Sequence, residues 1–181
     1  MERNTMSDAE KVVLKAVETQ WIAATLGVIP NYRDSGPILN TLFTKAFQYA
    51  QENKVEIIGS PICIYHDNTI RESNIPIETI IPIAQEISAN EEVWVYQLPK
   101  VNNMASIVHK GSFATIEKVY DILENWIKDN NYQINGSLRE IYIVNDQGGD
   151  NSVTEIQYPV EKIKNKKNFF SWLLSLFNNR D

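Results

Sequence analysis

The sequence predicts an α+β fold: duplicated β-α-β-β units forming one antiparallel sheet, with two helices on one face and a ligand cleft on the pseudo-twofold. Three observations lead there. First, sliding the sequence over itself by 77 residues lays 39–82 on 116–159 without a gap, with identities at Asn53/Asn130, Ile57/Ile134, Gly59/Gly136, Ser60/Ser137, Ile64/Ile141, Tyr65/Tyr142, Asn68/Asn145, Glu78/Glu155 and Pro82/Pro159. Second, Leu39, Leu42, Phe43, Ala46 and Ala50 fall on Ile116, Val119, Tyr120, Leu123 and Ile127. Both sets keep the spacing of one apolar helical stripe. Third, each stripe sits between runs rich in valine, isoleucine and tyrosine, which read as strands.

The elements follow in order. The first half opens on a β-rich segment, "VVLKAVETQWIAATLGVI", and the second on "VWVYQLPKVNNMASIVHKG". Helices are expected over 38–52 and 114–129, ended by Asn53 and by Asn130-Asn131, residues that suit a left-handed C-terminal cap. A turn with Gly59 or Gly136 follows, then a strand, "PICIYHD" or "LREIYIVND", a loop, and a last strand, "IPIETIIPIA" or "VTEIQYPVEK". "IAQEISANEE" reads as a tight joint between the halves. The organisation is thus a tail over 1–11, a domain over 12–162 (halves roughly 12–90 and 91–162), and a lysine-rich amphipathic helix over 163–181.

Composition narrows the function. A net charge of −6 argues against a phosphate-binding surface, so no direct DNA binding is expected. One cysteine, Cys63, rules out an internal disulfide and fits a reducing compartment. With only His66 and His109 beside it, a thiolate or imidazole metal site is not expected, and no cofactor is implied. The start lacks an apolar signal core and no run reaches the ~18 apolar residues of a membrane span, so the expected address is cytoplasmic.

Two glutamates pose the central question. Glu140 and Glu155 sit inside runs that otherwise read as buried strand, where an unpartnered carboxylate is costly. Alternation places Glu140 with Tyr142, away from Arg139, Ile141 and Ile143. The repeat puts Cys63 and Tyr65 on the same side, Glu78 at the place of Glu155, and Trp94 with Tyr96 on one face of their strand. The expectation is that these faces converge away from the helices as an aromatic-walled cleft floored by carboxylates.

At these residues the chain resembles a known family. "MASIVHKGSF", an amphipathic helix carrying Trp126, "GSLREIYIVND" and "VTEIQYPV" stand in the order found in the GyrI-like small-molecule-binding domain. This is also the effector-binding domain of many AraC-type and multidrug-responsive regulators. The resemblance covers roughly 12–162 and is strongest over 98–160. It implies a duplicated fold with a cleft between halves, in which aromatics and a buried glutamate receive lipophilic cations. By position Glu140 corresponds to that glutamate, with Tyr142 and Glu155 beside it. Stand-alone relatives include hydrolases that open strained cyclopropane rings with a pocket glutamate, and proteins that protect DNA gyrase. The chain departs in carrying "PNYRDSGP" where the second half has "HKGSF", and in having too few residues before the first strand for a helix-turn-helix.

The candidate ligand-binding residues are therefore Glu140, Tyr142, Glu155, Tyr65, Trp94 and Tyr96; in a hydrolase, Glu140 or Glu155 would be the general base. Glu155, repeated by Glu78, reads equally well as a structural carboxylate. Trp126 reads as core, His109 as part of a turn and cap, and Cys63 as an inert buried thiol. The tail "EKIKNKKNFFSWLLSLF" has three readings: a helix packed on the domain, an interfacial membrane anchor, and a homodimer contact. The leading function is a stand-alone protein binding a hydrophobic or cationic small molecule. The alternatives are a hydrolase of electrophilic xenobiotics and a gyrase-interacting protein.

Overall fold

The computed structural model describes residues 11–66 and 73–163. Each β-rich opening segment folds as two strands, because Glu18-Thr19 and Pro99-Lys100 break the runs and turn the chain back. The first half comprises β1 (Val13–Val17), β2 (Gln20–Ile29), α1 (Gly36–Glu52), β3 (Ile62–Tyr65) and β4 (Ile75–Pro82). The second comprises β5 (Trp94–Leu98), β6 (Val101–Lys110), α2 (Glu117–Asp129), β7 (Tyr132–Ile134), β8 (Leu138–Val144) and β9 (Val153–Lys162).

The strands form one antiparallel sheet in the order β1-β6-β9-β8-β3-β4-β2-β5, with the short β7 added on β9. Exchanging each strand for its counterpart in the other half leaves this order unchanged when it is read from the opposite end. The halves also lend strands to each other: β1 pairs with β6, and β5 pairs with β2. At the centre β3 meets β8 with Cys63 opposite Glu140 and Ile64 opposite Arg139. Since Cys63 and Glu140 are 77 positions apart, the local pseudo-twofold passes between them.

Both helices cover the same face. Ala46 and Ala50 of α1 pack on Ala23, Ile81, Ile83 and Val93. Val119, Leu123 and Ile127 of α2 pack on Ala105, Ile107, Ile156 and Val160. Burying a valine, leucine or isoleucine side chain contributes about 1.5–3 kcal/mol and an alanine methyl about 0.8, which together hold these amphipathic helices to the sheet. The left-handed residues after the helices are repeat counterparts, Lys54 (φ 55°) and Asn131 (φ 57°). Just before them the Asn53 and Asn130 amides donate to the carbonyls of Tyr49 and Trp126, closing both C-termini alike. Helix α2 starts later than its stripe suggests because Phe113–Thr115 forms a 3-10 turn, capped by the Ser112 hydroxyl. His109 braces this turn, its Nε2 donating to the Ser112 carbonyl at 3.0 Å.

Gly59 and Gly136 do more than turn the chain. A Cβ would lie 3.2 Å from the Pro82 ring at Gly59 and 2.8 Å from the Pro159 ring at Gly136. Each glycine lets its backbone close on a proline of the last strand of its half, Pro82 in β4 or Pro159 in β9. Of the expected terminal helix only Ile163 falls among the described residues, so 164–181, like 1–10, lies outside them. No helix of the described residues is long and apolar enough to cross a membrane.

Candidate ligand-binding site

Glu140 is 9% exposed and lies on the sheet face that the helices cover. Three phenols donate to its carboxylate. Tyr142, two residues along β8, reaches Oε2 at 2.6 Å, and Tyr65 of β3 reaches the same oxygen at 2.9 Å. Tyr120 of α2 donates to Oε1. Alternation brings Tyr142 and Glu140 to one side, the pseudo-twofold brings Tyr65, and the apolar stripe of α2 delivers Tyr120 from above. No lysine or arginine pairs with Glu140 among the described residues. Arg139 points through the sheet to the other face, as its neighbours Ile64 and Gln157 across the strands do.

The phenols are held un-ionised. Burial first, and the Glu140 charge second, push the hydroxyls of Tyr65, Tyr120 and Tyr142 well above the ordinary phenol range. They act as neutral donors only. The same two causes raise the Cys63 thiol opposite Glu140. Further rings extend the wall. Phe43 of α1 meets Tyr142 edge-on at 5.7 Å, Phe113 lies 6.1 Å from it, and Tyr32 lies 5.8 Å from Tyr65. The Glu140 carboxylate is thus enclosed by aromatic rings, with its lone pairs met by neutral hydroxyls and no basic side chain beside it among the described residues.

Residues 28–161 match the GyrI-like small molecule binding domain. The chain belongs to this family. The C-terminal domain of EcmrR superposes on the GyrI-like chain with a TM-score of 0.75 at 22% identity, covering 84% of this chain and 98% of that domain. Against EcmrR in its DNA complex the same likeness spans only 58% of the regulator's length. A hydrolase from Listeria innocua gives a TM-score of 0.63 at 8% identity, over 86% of this chain and 94% of its own. SAV2435, solved with bound tetraphenylphosphonium, gives 0.53 at 13%, over 83% and 94%. None of the curated proteins matches the chain. At these identities the likeness is one of fold.

Within the GyrI-like frame the candidate residues divide between two faces. Glu140, Tyr142 and Tyr65 come together under the helices, which corrects the expectation that they face away from them. Isoleucines occupy the opposite phase of both strands (Ile62, Ile64, Ile141, Ile143), so alternation alone did not show which phase the helices cover. Glu155, Tyr96 and Trp94 lie on the helix-free face. There Glu155 is bound by Lys15 and Ser106. Burial alone would raise its carboxyl, but hydrogen bonds from these two and the Lys15 charge bring it below the usual range. Tyr96 donates to the buried Glu78, which also pairs with His66 at 2.9 Å. Trp94 is 57% exposed.

Sequence reasoning placed Tyr120 only in the apolar stripe and missed its contact with Glu140. The signal was there: the first half has Phe43 at that position, so the hydroxyl is what the second half adds. Trp126 stacks on Tyr132 at 6.1 Å beside the α2 core.

Proposed function

We propose that this GyrI-like domain holds a lipophilic cation beneath α1 and α2, with Glu140 as its counter-charge and Tyr65, Tyr120 and Tyr142 as its wall. The observation that carries the reading is a buried carboxylate met by three phenols and by no basic side chain among the described residues. Neutral donors satisfy its lone pairs but leave its charge in a low-dielectric site. A cation that displaces one phenol removes that cost, whereas a neutral guest of the same shape only breaks a hydrogen bond. Each ring face adds about 0.5–2 kcal/mol to a desolvated cation, so a few suffice for micromolar affinity. The tetraphenylphosphonium bound to a protein of the same fold is a guest of this chemistry and supports the reading.

Calorimetric titration tests it. Tetraphenylphosphonium is expected to bind in the micromolar range, and Glu140→Gln to weaken it by about tenfold or more, the loss of roughly 1.4 kcal/mol or more. Triphenylphosphine oxide, uncharged and similar in shape, should bind weakly to both. Equal affinity of the two guests, or of the two proteins, defeats the proposal.

A further inference from the structure

The helix-free face carries a second constellation that the Glu140 site does not use. A hollow of about 510 Å³ opens there, lined among others by Ile64, Leu98, Pro159, Glu78 and Arg139. A neighbouring hollow of about 540 Å³ reaches Trp94 and shares His66, Glu78 and Tyr96 with the first. Volumes of this size suit small organic molecules.

Arg139 is the unspent group. It is 8% exposed, yet no hydrogen bond or ion pair joins its guanidinium to any described residue. The one fully enclosed polar side-chain atom left unpaired among the described residues is Thr154 Oγ1, so the guanidinium nitrogens reach the open space of the hollow. Burial depresses this arginine, and the nearby Tyr96 and Glu78 work against that depression. Glu78 itself is already engaged, one oxygen by Tyr96 and the other by His66. The fold thus holds a rigid fork of donors, largely stripped of water and without an acceptor, at the wall of a cavity.

We infer that this hollow is a second ligand site, which takes a small carboxylate with an apolar body, its carboxylate forked on Arg139 and its body against Ile64, Leu98 and Pro159. A planar monoanion matches the guanidinium bidentately. Glu78 and Glu161 on the lining make a dianion such as a phosphate monoester the poorer guest, because its second charge would meet their repulsion while the lining's other cation, Lys100, is already paired with Glu18. The site is on the opposite side of the sheet from Glu140 and stands whether or not that site binds cations.

The test uses 1-naphthoate titrated into the full chain by calorimetry, beside 1-naphthamide and 1-naphthyl phosphate. Naphthoate is expected to bind with sub-millimolar affinity, and the amide and the phosphate more weakly. Arg139→Gln should weaken naphthoate by about tenfold or more, and Arg139→Lys, which keeps the charge and loses the fork, by an intermediate factor. Asn102→Trp, at an exposed position on the hollow's lining, should block it and carries the test should the arginine variants fail to fold. Saturating tetraphenylphosphonium should leave naphthoate binding in place. The inference falls if the amide or the phosphate binds as tightly as naphthoate, if Arg139→Gln or Asn102→Trp binds like the parent, or if the phosphonium displaces naphthoate.

Discussion

Cys63 and Glu140 stand directly opposite each other on the central strand pair, and each holds the other's place in its own half. One position of the repeat thus supplies a neutral thiol and an anion side by side at the local pseudo-axis. Burial first, and the carboxylate second, keep the thiol protonated, and burial also closes it to reagents. The folded protein should therefore resist a thiol reagent such as dithionitrobenzoate at pH 8 for hours and react stoichiometrically in guanidinium. Full labelling of the native protein within minutes would contradict the geometry.

Tyr120→Phe removes one of the three donors from Glu140 while keeping the ring. The free protein should lose about 1–3 kcal/mol, the cost of leaving a buried charged acceptor short of a partner. Affinity for tetraphenylphosphonium should rise, because the cation no longer competes with that phenol. Denaturant melts and calorimetry read the two effects separately. A variant that binds the phosphonium more weakly would mean that the hydroxyl contacts the guest rather than restraining the acid.

The Lys15–Glu155 pair ties the first strand of one half to the last strand of the other. Glu155 is lowered in the folded state, so the unfolded chain takes up its proton first as pH drops. The pair's contribution is complete above the unfolded value, about 4.3, and fades as pH falls through the folded one. Lys15 is partly exposed, so screening keeps the contribution near 0.5–1 kcal/mol. Lys15→Met should cost about that much at pH 7 and nothing near pH 2 in urea titrations. A loss that persists undiminished at pH 2 would assign it to packing instead.

Gly136→Ala should destabilise more than Gly59→Ala. The added methyl meets Pro159 at 2.8 Å, a distance that forces movement, and Pro82 at 3.2 Å, which a small shift relieves. Overpacking of this kind costs about 1–3 kcal/mol, with the Gly136 variant toward the top. Chemical denaturation of both variants decides the order.

Much of this architecture was legible in the sequence. The repeat made Cys63 and Tyr65 the counterparts of Glu140 and Tyr142, and alternation put Glu140 and Tyr142 on one side; that β3 and β8 pair with Cys63 opposite Glu140 needed coordinates. Two further things were not legible, for different reasons. Which phase of β3 and β8 meets the helices was hidden because isoleucines fill the opposite phase, which therefore reads as the better candidate for the helix-covered core. Lys15 on Glu155 was hidden because the partners are 140 positions apart, and no local pattern announces a contact that reaches from edge strand β1 across β6 to β9. Tyr120 lies between these cases: its helix face was plain, and only the function of its oxygen needed coordinates.

The exchange of β1 and β5 between the halves bears on how the chain can be divided. Severing it within 84–92 yields two pieces, each holding a ribbon that finishes the rim of the other. They should recombine on mixing, and a piece kept alone should seek a second molecule of itself, since twofold likeness lets it stand in for its missing complement.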